Sequence, residues 1–172
     1  AASFLAEGSA GDWSAVYLAT VVGASPGVSA LALSGFSLGM VAMRFVADAL
    51  GTRFGDLALL CSGAAFAGTG MTLGLVFPSA LVAILGFVAV GMGFAAVVPI
   101  AFRRAANLDG IEPGVGVAAV ATVAYTGFLA GPPLIGLVAE VIGLRFAMAI
   151  VPLLAFAVAG LAITLRSGAA KG

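Results

Sequence analysis

Four stretches of the chain hold no charged side chain: Trp13 to Met43, Leu57 to Phe102, Pro113 to Ala139 and Phe146 to Leu165. A helical membrane span needs about 20 mostly apolar residues to cross roughly 30 Å of hydrocarbon. The longest stretch has room for about two such spans and is broken at Phe77-Pro78-Ser79. The first is broken at Gly23-Ala24-Ser25-Pro26-Gly27, where Gly and Pro signal a turn. The pattern predicts six helical spans, at 1–22, 28–47, 57–77, 80–102, 114–139 and 146–166. Transmembrane β-strands do not fit. They need alternating segments of about ten residues, whereas these runs are continuously apolar.

Composition points the same way. The 172 residues are 63% apolar and 8% charged, with a mean hydropathy of +1.26. Soluble domains run near 45–50% apolar and about 25% charged. The expected partner is therefore the lipid bilayer. A net charge of zero gives no electrostatic basis for binding nucleic acid. There is no His, the commonest general base and metal ligand, and Cys61 is the single cysteine. No metal or other cofactor is expected. The chain starts Ala1-Ala2-Ser3 without Met, as expected of a fragment or of a processed or trimmed chain.

Charges orient the spans. Connections 48–56 and 103–113 and the carboxyl end fall on one side, with Arg53, Arg103, Arg104, Arg166 and Lys171. Arg44 lies a short way inside that side and can snorkel to it. The other side has only Arg145. The excess of basic residues assigns the first side, and both ends of the chain, to the cytoplasm. Trp13 and Tyr17 fall toward the outer end of the first span, where amphipathic aromatics settle.

Polar side chains at membrane depth are functional candidates by default. Glu7 lies six residues before Trp13, roughly 9 Å deeper along a helix, with Gly11 and Ser14 on its face. It is the first candidate for a protonatable or substrate-binding group; the alternative is a structural hydrogen bond to a neighbouring helix. Asp12 lies nearer the interface and reads as solvated or capping. Ser37 and Arg44 share a face of the second span. Thr122, Tyr125 and Thr126 share a face of the fifth, either as a hydrogen-bonding wall or bonded to their own helix. The sixth span, with Thr164 near its end, reads as lipid-facing. The third reads similarly.

Gly35-Phe36-Ser37-Leu38-Gly39 matches the G-x-S-x-G nucleophile pattern, but its usual mechanism needs a His. The same residues read as G-x-x-x-G helix packing, which recurs at Gly70/Gly74 and Gly127/Gly131. Two other stretches are more specific. Asp48-Ala49-Leu50-Gly51-Thr52-Arg53 closes the second span, where Asp48 and Arg53 can brace a short loop. Gly127-Phe128-Leu129-Ala130-Gly131-Pro132-Pro133 lies inside the fifth, where Gly allows close packing and Pro a bend.

The first stretch resembles the D-x-x-G-x-R core of motif A of the major facilitator superfamily, departing from it at Arg44 and Ala49. The second resembles that family's G-x-x-x-G-P signature. Glu7-Gly8-Ser9-Ala10-Gly11-Asp12-Trp13-Ser14-Ala15-Val16-Tyr17 resembles a bacterial branch that includes MosC-type proteins. The resemblance implies an all-α fold of six transmembrane helices in two inverted three-helix repeats, 1–77 and 78–166, with a short cytoplasmic tail at 167–172. The chain would be the C-terminal half of a secondary transporter for a small solute in the bacterial inner membrane. It would need the absent N-terminal half or a second copy as partner. Spans one, two, four and five would line the path. Glu7, Tyr17, Ser37, Thr122, Tyr125 and Thr126 are then its candidates; Asp48, Gly51 and Arg53 serve a cytoplasmic gate, and Gly127, Gly131 and Pro132 the packing and bend. The competing reading is a self-associating six-span channel or scaffold.

Overall fold

The computed structural model describes residues 2–169, with side chains through Leu165. Lys171 and the side chain of Arg166, both counted above for orientation, lie outside the described residues. The described chain is helical throughout, without strands. A chain this apolar must satisfy its backbone within each segment, and the helix does so. The elements are α1 (Ala2–Tyr17), continued by a π-helical stretch (Leu18–Val22), α2 (Pro26–Phe54), α3 (Asp56–Val76), α4 (Ala80–Phe94), α5 (Val97–Ala106), α6 (Pro113–Ile142), α7 (Leu144–Ala147) and α8 (Ile150–Ala169). Five stretches are long and apolar enough to cross a membrane: 26–54, 56–76, 80–106, 113–142 and 144–165. The first segment divides its length between α-helix and π-helix and falls outside that set.

Helix ends follow the local chemistry. Pro26 and Pro113 open α2 and α6 after extended residues, where a missing N–H costs nothing. α2 and α6 both end at a glycine with positive φ, Gly55 at 86° and Gly143 at 84°. The expected loop 48–56 is corrected: α2 runs through Phe54, and Gly55 alone turns the chain into α3. No helix breaker precedes Gly55, so Asp48, Gly51 and Arg53 sit in the last turns of a helix. Two expected continuous spans are interrupted, at Ala95–Ala96 and at Met148–Ala149. Pro99 and Pro152 lie four residues after Ala95 and Met148, whose carbonyls they cannot bond.

The broadest packing joins α3 to α4, α2 to α4, α3 to α8, and α1 to α6. Small residues make these crossings close, as expected where lipid gives helices no hydrophobic drive to associate. A Cβ on Gly39 would meet Val88 O at 2.7 Å, and one on Gly63 would meet Gly93 O at 2.6 Å. Gly35 and Gly39 thus serve the α2–α4 crossing. The main core joins Tyr17, Phe36, Met71, Phe87, Phe94 and Ile135. A smaller cluster, Ala47, Leu59, Ala96 and Ile100, underlies the charged end of the molecule.

Candidate functional site

Glu7 of α1 and Ser37 of α2 meet around one cavity of about 270 Å³, closed on its third side by Phe128 and Pro132 of α6. Gly8, Gly11 and Asp12 complete the α1 wall. Among the described residues, neither carboxylate has an ion-pair or hydrogen-bond partner, and the Ser37 hydroxyl makes no bond to its own helix. Asp12, read from sequence as solvated, shares this wall with Glu7.

The α6 wall is shaped by its prolines. Pro132 has no N–H for the carbonyl of Phe128 one turn earlier. That carbonyl faces Gly8, where a Cβ would lie 2.7 Å from it. A Cβ on Gly131 would likewise lie 2.9 Å from Leu5 O, so the two glycines bring α1 and α6 together from both sides. Trp13 fixes their register: its Nε1–H donates to Pro132 O at 3.0 Å, and its ring covers Gly136. Gly127, expected to serve packing, is buried.

Three further candidates sit on a different surface. Thr122 and Thr126 are exposed on α6 and donate to their own helix, at Ala118 O (2.9 Å) and Thr122 O (2.8 Å). Tyr125 is exposed beside them, its ring 6.0 Å from that of Phe4. Their polar atoms do not line the Glu7 cavity.

Tyr17 requires a correction. It has no exposed surface, packs edge-on against Phe87 and donates to Gly74 O at 3.2 Å. It belongs to the core, because α3 and α4 pack against it. Ser14, expected on the face of Glu7, is also fully buried, and its Oγ has no partner.

At the charged end, Asp56 is the centre of the ion pairs. It accepts from Arg103 Nη2 at 2.6 Å and lies 3.6 Å from Arg104 Nε. Asp48 is almost fully exposed and reaches only 4.0 Å from Arg103. Arg53 is outside the network, its guanidinium 5.3 Å above the Phe54 ring. Gly51 lies against Asp56, with 3.4 Å between its Cβ position and Oδ1. The brace thus links the first residue of α3 to the last turn of α5. Each charge also sits at the helix end whose dipole favours it. Asp56 was missed in sequence because its partner lies 47 residues away; its place at a helix start was the available signal.

At the opposite end, Arg145 donates to Leu75 O and Val76 O, both at 2.8 Å. With Tyr17 on Gly74 O and the Phe77 N–H on Leu73 O (2.9 Å), all four terminal carbonyls of α3 are bonded.

These long apolar helices, held together by glycine crossings and carrying unpaired acids between them, define a multi-pass helical membrane protein. Two of the relatives it matches are named as transporters and a third as a membrane protein. The chain is 43% identical over 165 residues, 96% of its length, to an uncharacterized transporter of Sinorhizobium fredii. It is 37% identical over 156 residues (91%) to an uncharacterized MFS-type transporter of Yersinia pestis, and 36% over 146 residues (85%) to membrane protein MosC of Rhizobium meliloti. It is thus homologous over most of its length to major-facilitator-type transporters, the family its motifs resemble. It spans 44%, 41% and 36% of these relatives, less than half of each. No family model and no solved structure matches the chain.

Proposed function

We propose that this chain forms one half of a secondary transporter that moves a small solute by alternating access, with Glu7 as a protonatable or substrate-binding group. The observation that carries the reading is the cavity where Glu7, Asp12 and Ser37 meet the proline-bearing stretch of α6. Unpaired carboxylates at membrane depth are costly and mark substrate or ion pathways. In this reading residues 2–22 form a sixth span, and the charged end around Asp56 is cytoplasmic, where it serves as the gate. The exposed Thr122, Tyr125 and Thr126 then face the other half across the path.

Two inverted repeats, 1–77 and 78–166, are supported by matching corners. Gly55 (φ 86°, ψ 147°) and Gly143 (φ 84°, ψ 153°) end the second helix of each repeat, and each of those helices opens on a proline. The first helix of each repeat packs on the second helix of the other, α1 on α6 and α4 on α2. Such repeats place a substrate near the midplane between rocking halves.

The test uses the full-length protein. A Ser37→Cys variant, with Cys61→Ser to remove the native thiol, is treated with a membrane-impermeant maleimide from either side. Alternating access predicts labelling from both sides, with closure of one side leaving the other reactive. Simultaneous access from both sides would favour a channel, and no labelling from either would remove this cavity from the path. Glu7→Gln is expected to lower transport or shift its pH dependence; an unchanged pH profile would exclude Glu7 from coupling.

A further inference from the structure

α2 and α3 make little contact along their lengths and diverge from Gly55. Between them lies an apolar groove of about 720 Å³, floored by Met92 and Gly93 of α4. Its walls include Met43, Leu50 and Phe54 from α2 and Cys61, Ala65 and Phe66 from α3. The volume falls in the range that buries a drug-sized apolar ligand. Phe54 and Phe66 are exposed, so the groove opens on the outer face of the helices.

One end of the groove is marked by charge. Arg53 places its guanidinium 5.3 Å from the centroid of Phe54, a wall residue. Among the described residues it has no carboxylate partner. Asp56 is already held by Arg103 and Arg104. Asp48 lies roughly 140° around α2 from Arg53, given 100° per residue, and turns toward Arg103. A cation at the membrane-facing mouth of an apolar groove, with no competing acid beside it, complements one kind of molecule: an anionic head joined to a hydrocarbon tail.

We propose that this groove binds an anionic phospholipid, its acyl chain lying between α2 and α3 and its phosphate against Arg53. The site stands on the membrane location of the chain and does not rest on the transport reading: its α2 wall, Met43 to Phe54, lies further along the helix than that of the Glu7 cavity, Leu33 to Ser37.

The test is native mass spectrometry of the full-length protein from nanodiscs of equal dioleoyl-phosphatidylglycerol and dioleoyl-phosphatidylcholine. Wild type is expected to retain phosphatidylglycerol preferentially. Arg53→Gln should lower that preference about fivefold, with Arg53→Lys keeping most of it. Ala65→Phe, which fills the groove, should lower retention of either lipid. In parallel, the alkylation rate of Cys61 by a membrane-soluble maleimide, read by peptide mass, should fall several-fold when phosphatidylglycerol replaces phosphatidylcholine. This reading is free of any folding defect in a variant. Equal Cys61 rates in the two lipids would overturn the site. So would a preference that Arg53→Gln removes but Ala65→Phe leaves intact, since that describes surface attraction without an occupied groove.

Discussion

Gly8 shows how narrow the tolerance is at a single residue. Its Cα sits against a carbonyl that Pro132 has left without its helical partner, and no side chain fits between them. Gly8→Val should force α1 off α6 and cost about 1–3 kcal/mol, as overpacking does. A lower melting temperature in detergent checks this, and an unchanged one would mean the helices do not cross there. At the charged end, Asp56→Asn should destabilise measurably, whereas Asp48→Asn should stay within about 0.5 kcal/mol, as exposed substitutions do. Equal effects would contradict the ion-pair geometry. Sequence reading singled out Glu7 and Ser37 because polar side chains are rare in an apolar run. It misplaced Tyr17, since an aromatic near a span end is equally suited to an interface and to a core, and only the covering helices decide.

Among elements, α3 is held at both ends by groups from other helices. Asp56 at its start binds the end of α5, and its last carbonyls receive Tyr17 and Arg145. An uncapped helix end within apolar surroundings leaves polar groups without water. Arg145→Ala is therefore expected to cost about 1.5–3 kcal/mol and Tyr17→Phe about 1 kcal/mol, the usual scales for charged and neutral hydrogen bonds. Thermal unfolding of the two variants should rank them in that order, and the reverse ranking would count against the Arg145 cap. The helices themselves were legible as uncharged runs. Their ends were less so: the charged residues after 47 read as a loop, but charge alone does not end a helix, and α2 continued to the first glycine with positive φ.

For the whole molecule, the proposed internal repeat rests on the two corner glycines, Gly55 and Gly143. Their φ and ψ lie near a region open essentially to glycine alone. Gly55→Ala and Gly143→Ala should each cost about 1–3 kcal/mol, and by similar amounts if the corners are equivalent. Clearly unequal losses in melting temperature would argue against the correspondence. The glycine ladders were readable as motifs, and Gly35 and Gly39 emerged as packing positions. Which helix each glycine faces was not readable, because G-x-x-x-G spacing defines a stripe on one helix and says nothing of the helix that fills it.

The sequence by itself determined a helical membrane protein, the approximate place of its apolar runs, the rarity of acids near them and its likeness to major-facilitator transporters. These depend on transfer of side chains from water and on local backbone preference, which act within a few turns of chain. Only the tertiary structure decided that Glu7, Asp12 and Ser37 share a cavity while Thr122 and Thr126 do not. It also decided that Asp56 takes the place expected of Asp48 in the charged brace and Arg103 and Arg104 that of Arg53, and that Arg145 and Tyr17 close the end of α3. Such pairings join residues from helices far apart in the chain, and the order in which helices pack is set by shape at their glycine crossings, a property of surfaces that no single stretch of sequence contains.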